Sequence, residues 1–203
     1  MIHSPSGLIG VLVTIAVLLF CGLSLFLGWG AGVDALVRMG PYGNAIVPAT
    51  SLCLMLLGLA TLPVPALSRV QKLSIAVGLV AIAIFAFVRD GRIIGLFVYT
   101  PGPEDGLSHA TIIGLLLLAV SPAIRLGFLP LDREWTFHVP LFGLLFSVVA
   151  IFGISFDAYY FDQIEPFVNL SHYTALAMIC LFAAQLMTYE PAPDDHHMSD
   201  WVS

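Results

Sequence analysis

His109-Ala110-Thr111-Ile112-Ile113 opens a leucine-rich run of nearly membrane length, and the chain does the same at two other places. Pro48-Ala49-Thr50-Ser51-Leu52 and His172-Tyr173-Thr174-Ala175-Leu176 stand at equivalent points. The threonines at 50, 111 and 174 recur at intervals of 61 and 63 residues. Each follows a polar, turn-rich loop and precedes a long apolar segment. A period of this kind reads as three copies of one two-helix hairpin.

Composition places those hairpins in a membrane. Mean hydropathy is +0.99, 59% of residues are hydrophobic and 10% are charged, well outside the range of soluble domains. The charges collect between the apolar runs, which is the pattern of a polytopic helical protein. Alternating strands of about ten residues, the mark of a membrane β-barrel, do not occur. The expected fold is therefore an all-α integral membrane protein with six transmembrane helices arranged as three repeated hairpins.

The bundle is read over residues 1–188, with helices at about 8–29, 45–62, 70–88, 108–125, 139–156 and 171–188. An 18-residue helix rises roughly 27 Å, enough for a thin bilayer. The first run lacks a basic segment before it and is too long for a signal peptide's apolar core, so it reads as a retained helix. Residues 189–203, with Pro191, Pro193, Asp194, Asp195, His196, His197 and Asp200, read as an acidic solvated tail.

Six crossings put both termini on one side, here side A. Side A then carries Arg69, Lys72, Arg125 and Arg133, against Arg38, Arg89 and Arg92 on side B. That balance favours a cytoplasmic side A in a bacterial inner membrane. Seven Lys+Arg and a net charge of −6 leave no basic patch, which excludes nucleic acid as a partner. Cys21, Cys53 and Cys180 fall on different apolar runs without metal-ligand or redox spacing, so no metal site is expected.

The helix starts explain themselves structurally. Ser108 and Ser171 can accept first-turn N–H groups, and Pro48 suits a first-turn position because it has no N–H to leave unpaired. Thr50, Thr111 and Thr174 can bond back one turn or bridge to a neighbouring helix. A functional reading stands beside this one. His109 and His172 occupy equivalent depths on side B, where paired imidazoles could contact lipid, quinone, haem or chlorin, or sense protons. No cofactor is required by any motif, and Pro48 at the third equivalent position breaks the symmetry. The side-B loops add Arg89, Arg92, Asp157 and Tyr159 as candidate ligand contacts. Asp157 follows the fifth run directly, where a carboxylate opposes the helix dipole, so Arg89 or Arg92 is its expected partner.

No catalytic motif is present, and the middles of the apolar runs carry no Asp, Glu, Lys or Arg. Both facts point away from an enzyme and from ion-coupled transport. The segment Pro48 to Ala60, preceded by Leu36-Val37-Arg38-Met39, resembles helix openings in the multi-pass sensor regions that precede histidine kinase or diguanylate cyclase domains in bacteria. His109-Ala110-Thr111, followed by Leu115 to Ala119, is similar, and the resemblance covers about a quarter of the chain. It implies a sensor that binds a small or lipophilic ligand at the non-cytoplasmic mouth. With about fifteen residues after the last run, such a sensor would act through a separate partner. The alternative, slightly favoured by the uncharged helix middles, is a non-catalytic accessory subunit of a respiratory or photosynthetic membrane complex. Its helices would pack on lipid, on partner subunits, and on quinone or pigment.

The Asp157 pairing is testable. Asp157→Asn is expected to lower the melting temperature of the detergent-purified protein, and an unchanged melt would remove the pairing.

Overall fold

Proline and serine fix where the return helices begin. The computed structural model describes residues 5–40, 43–87, 108–156, 164 and 167–189. Among them the chain is all-helical, with six α-helices and no strand. Helix α1 is Pro5–Leu23 and runs on as a π-helical segment, Ser24–Trp29. It is followed by α2 (Pro48–Thr61), α3 (Ser68–Phe87), α4 (His109–Arg125), α5 (Trp135–Phe156) and α6 (His172–Met187). The three starts at Pro48, His109 and His172 are those marked by the sequence repeat. Val47, Ser108 and Ser171 precede them in extended conformation, as residues outside a first helical turn do.

Helix ends have equally local causes. Leu62 precedes Pro63 and is held extended at φ −59°, ψ 130°, which stops α2. Helix α4 closes with Gly127 at φ +79°. Phe128 N–H donates to Ala123 O at 2.8 Å and Gly127 N–H to Ile124 O at 3.0 Å, the paired bonds of a Schellman motif.

Packing sorts the helices into two sets. The return helices α2, α4 and α6 contact one another, while α1 lies against α6 and α2, α3 against α2 and α4, and α5 against α4 and α6. Three inner helices are thus wrapped by three outer ones, in a ring that follows the sequence repeat. Burial follows the same division. Leu54, Leu57, Leu115, Leu118, Met178, Leu181 and Phe182 of the inner helices form the centre of the main apolar cluster. The outer α1 and α5 bury only narrow stripes, Gly7, Gly10, Thr14, Val17 and Cys21 on one and Pro140, Gly143, Ser147, Ala150 and Ile154 on the other.

Two outer helices, Pro5–Trp29 and Trp135–Phe156, are long and apolar enough to cross a membrane, with mean hydropathies of 2.7 and 2.3. The inner helices are apolar but shorter, at 14, 17 and 16 residues.

Small residues set the spacing between layers. A Cβ on Gly10 would lie 3.0 Å from Ala184 O of α6, and one on Gly143 would fall on the ring of Phe182. Thr14 and Ser147 return their hydroxyls to Gly10 O and Gly143 O at 2.9 and 2.8 Å, which keeps both stripes free of unpaired polar groups.

The π-helical turn has a visible result at the far end of α1. Its wider winding seats both Gly28 and Trp29 inward, and Trp29 is fully buried with Val37 and Ala45. The indole N–H donates to Ile46 O at 2.8 Å, tying the end of α1 to the strand-like approach to α2. Nothing in the hydropathy pattern announced this turn.

The glycine contacts make opposite predictions at two sites. Gly143→Ala is expected to destabilise the bundle by about 1–3 kcal/mol through overpacking against Phe182. Gly22, whose added Cβ would meet only Met55 Cε at 4.0 Å, should tolerate alanine and gain up to about 1 kcal/mol in helix propensity. Detergent melting curves of the two variants should shift in opposite directions.

Candidate functional site

Two poles of the bundle carry polar groups, and they differ in kind. On side B the return helices begin. Ser108 Oγ accepts Thr111 N–H at 3.0 Å and shares a hydrogen bond with Thr111 Oγ1 at 2.7 Å, so the α4 start is a closed cap. Ser171 holds the same position before α6, but its buried hydroxyl has no hydrogen-bond partner among the described residues. Thr50, Thr111 and Thr174 are all buried. His109 and His172 are half-buried at the first positions of α4 and α6, two helices that pack on each other. His172 Nδ1 is buried and has no hydrogen-bond partner among the described residues. Next to it, Tyr173 packs edge-on to Phe20 and donates its hydroxyl to Ala35 O at 2.9 Å. Arg38 pairs locally with Asp34 at 3.0 Å.

Arg89, Arg92, Asp157 and Tyr159 lie outside the described residues, and with them the expected Asp157 pairing and the loop side of a side-B crevice. Among the described residues no group of three or more His, Cys, Asp or Glu side chains could hold a metal ion.

Side A is where the return helices end, and it contains a cavity of about 530 Å³. Every helix contributes to its wall: Gly7 from α1, Thr61 from α2, Gln71 from α3, Ser121 and Arg125 from α4, Thr136 from α5 and Gln185 from α6. The volume falls within the range of small-molecule sites.

The cavity exists because helix ends need partners. When Pro63 stops α2, its last carbonyls lose their intrahelical donors. Arg125 answers from the end of α4. Its Nη2 donates to Ala60 O at 2.6 Å and reaches toward Leu62 O at 3.4 Å, while Nη1 donates to Thr61 O at 3.1 Å. Gln71, on the first turn of α3, donates its amide to Leu62 O. A cation here also suits the negative dipole ends of α2 and α4. Across the cavity, Gln185 of α6 donates to Leu118 O of α4 at 3.0 Å.

Most residues singled out by sequence pattern lie on side B, and in that pattern Arg125 is only one of the charges that orient the chain. Gln71 and Gln185 were legible in principle, as the amides set into otherwise apolar helices. What could not be read was their convergence, since residues 61, 71, 125 and 185 meet only through the hairpin order. No family model, curated protein or solved structure matches this chain.

Arg125→Met leaves the Ala60 and Thr61 carbonyls without their side-chain donor and is expected to destabilise the fold by about 2–5 kcal/mol. Arg125→Lys keeps the charge but cannot bridge adjacent carbonyls with a planar fork, and should fall between. Equal melting temperatures for all three proteins would remove Arg125 as the cap of α2.

Proposed function

We propose that the chain is a six-span helical bundle of a bacterial inner membrane, working without catalysis as an accessory subunit that packs on lipid and on partner helices. The observation that carries this is the outer surface. On α1 and its π-helical continuation alone, eight large apolar side chains (Leu8, Ile9, Leu12, Ile15, Leu19, Leu23, Phe26 and Leu27) are 40–69% exposed. Full burial of such a side chain is worth about 1.5–3 kcal/mol, so leaving these half-exposed in water would forgo roughly 6–12 kcal/mol. That is as large as the net stability of an ordinary domain. Phe142, Leu145, Val149, Phe152 and Phe156 make a similar face on α5, and Val70, Leu73, Val77, Val80 and Ile84 on α3. Lipid or another apolar helix answers all three faces.

The shorter inner helices fit the same picture. The last carbonyls of α2 are met by Arg125 and Gln71, and those of α4 by the backbone N–H groups of Gly127 and Phe128. With α1 beginning and α6 ending on side A, the Arg69, Lys72, Arg125 and Arg133 set on that side supports its being cytoplasmic.

A stand-alone sensor with a ligand at the side-B mouth is the second reading. It is supported by His172 Nδ1 and the Ser171 hydroxyl, two buried polar groups at one helix start without a hydrogen-bond partner among the described residues.

Purification from membranes in a mild detergent, followed by native mass measurement and an absorption spectrum, distinguishes the two. An accessory subunit is expected in the membrane fraction and in a stoichiometric assembly with other subunits. Recovery from the membrane as a lone chain, with a melting temperature raised by a small lipophilic ligand and lost in His172→Phe, would instead favour the sensor.

A further inference from the structure

Among the described residues, the side-A cavity has donors in excess and a buried acceptor left over. Arg125 spends Nη2 and one Nη1 N–H on the carbonyls of α2, so its Nε–H and second Nη1–H remain uncommitted among the described residues. Arg133 also lines the cavity, is exposed, and makes no ion pair there among the described residues. Among the described residues the wall contains no carboxylate. Two guanidiniums lining a concave site with no counter-charge among its described residues favour an anion, and the guanidinium fork matches phosphate oxygens.

Gln185 adds a requirement of a different kind. It is 6% exposed and lines the cavity, and it donates to Leu118 O while its buried Oε1 has no hydrogen-bond partner among the described residues. A buried, unmatched acceptor is unfavourable, and a ligand bearing a hydroxyl or ammonium donor would satisfy it.

We propose that this cavity binds a phosphate-bearing group carrying a hydroxyl or ammonium donor, with the phosphate on Arg125 and Arg133 and the donor on Gln185 Oε1. Its position at the ends of all six helices places it at headgroup depth, so the source is the headgroup of a hydroxylated anionic phospholipid. The lipid assignment rests on the membrane reading above, whereas the phosphate-plus-donor chemistry rests on the cavity alone.

The test uses the full chain in a non-ionic detergent, with melting temperature as the readout of binding. Short-chain phosphatidylglycerol is expected to raise the melting temperature in a saturable way, and phosphatidylcholine, which lacks the donor, to do so much less. Arg133→Gln and Gln185→Leu should each weaken the phosphatidylglycerol response about tenfold, as for loss of a charge-assisted or buried hydrogen bond. Arg69→Gln removes the same charge from the same pole but outside the cavity, and should leave the response within about twofold. Glycerol 3-phosphate as effective as the lipid, with the same variant pattern, would support the site while making its source a soluble phosphate. Equal responses to phosphatidylcholine and phosphatidylglycerol, or equal weakening by Arg69→Gln and Arg133→Gln, would overturn the site. Recovery in the membrane fraction is scored separately, so failure of the membrane reading is distinguishable from failure of the site.

Discussion

The carbonyls at the end of α2 set the terms for the side-A half of the molecule. Helix α2 is an interior element, and Pro63 ends it where its last peptide oxygens face protein rather than bulk water. Unmatched, each would be a serious liability in an apolar setting. Arg125 meets Ala60 and Thr61 from α4, and Gln71 meets Leu62 from α3. Those bonds fix how deep α4 and α3 sit beside α2. They also prop the helix ends apart around a fork of donors, and the resulting hollow is the cavity.

The division into inner and outer helices follows from the same economy of polar groups. Inner helices carry the marked starts, the threonines buried just inside them and Gln185, while Gln71 reaches the end of α2 from the outer α3. Outer helices carry glycine and hydroxyl stripes inward and bulky apolar side chains outward. Gly143 and Phe182 show how the layers interlock: the missing Cβ on α5 is the space that the ring from α6 fills. Close backbone approach through small residues is how helices associate where water offers no hydrophobic drive.

Much of this architecture was legible from residue patterns. The starts of α2, α4 and α6 were marked by Pro48, Ser108-His109 and Ser171-His172, because caps and prolines act locally. Ser171 shows the limit of that reading, since its hydroxyl occupies the cap position without making the cap bond. The π-helical turn at Ser24–Trp29 was illegible, because it answers to Val37 and Ile46 rather than to its own neighbours. The cavity was missed for a related reason. Arg125 in sequence is one charge at a helix end, and only the hairpin topology brings it to Thr61 and opposite Gln185.

The contact between α1 and α6 has a topological meaning of its own. These helices are the farthest apart along the chain, yet they pack as neighbours through Gly10 and Ala184, just as consecutive hairpins do. The bundle is a closed cycle of three hairpins with no seam. In physical terms any of the three could come first, and a cyclic reordering of the hairpins would recover the same set of interfaces.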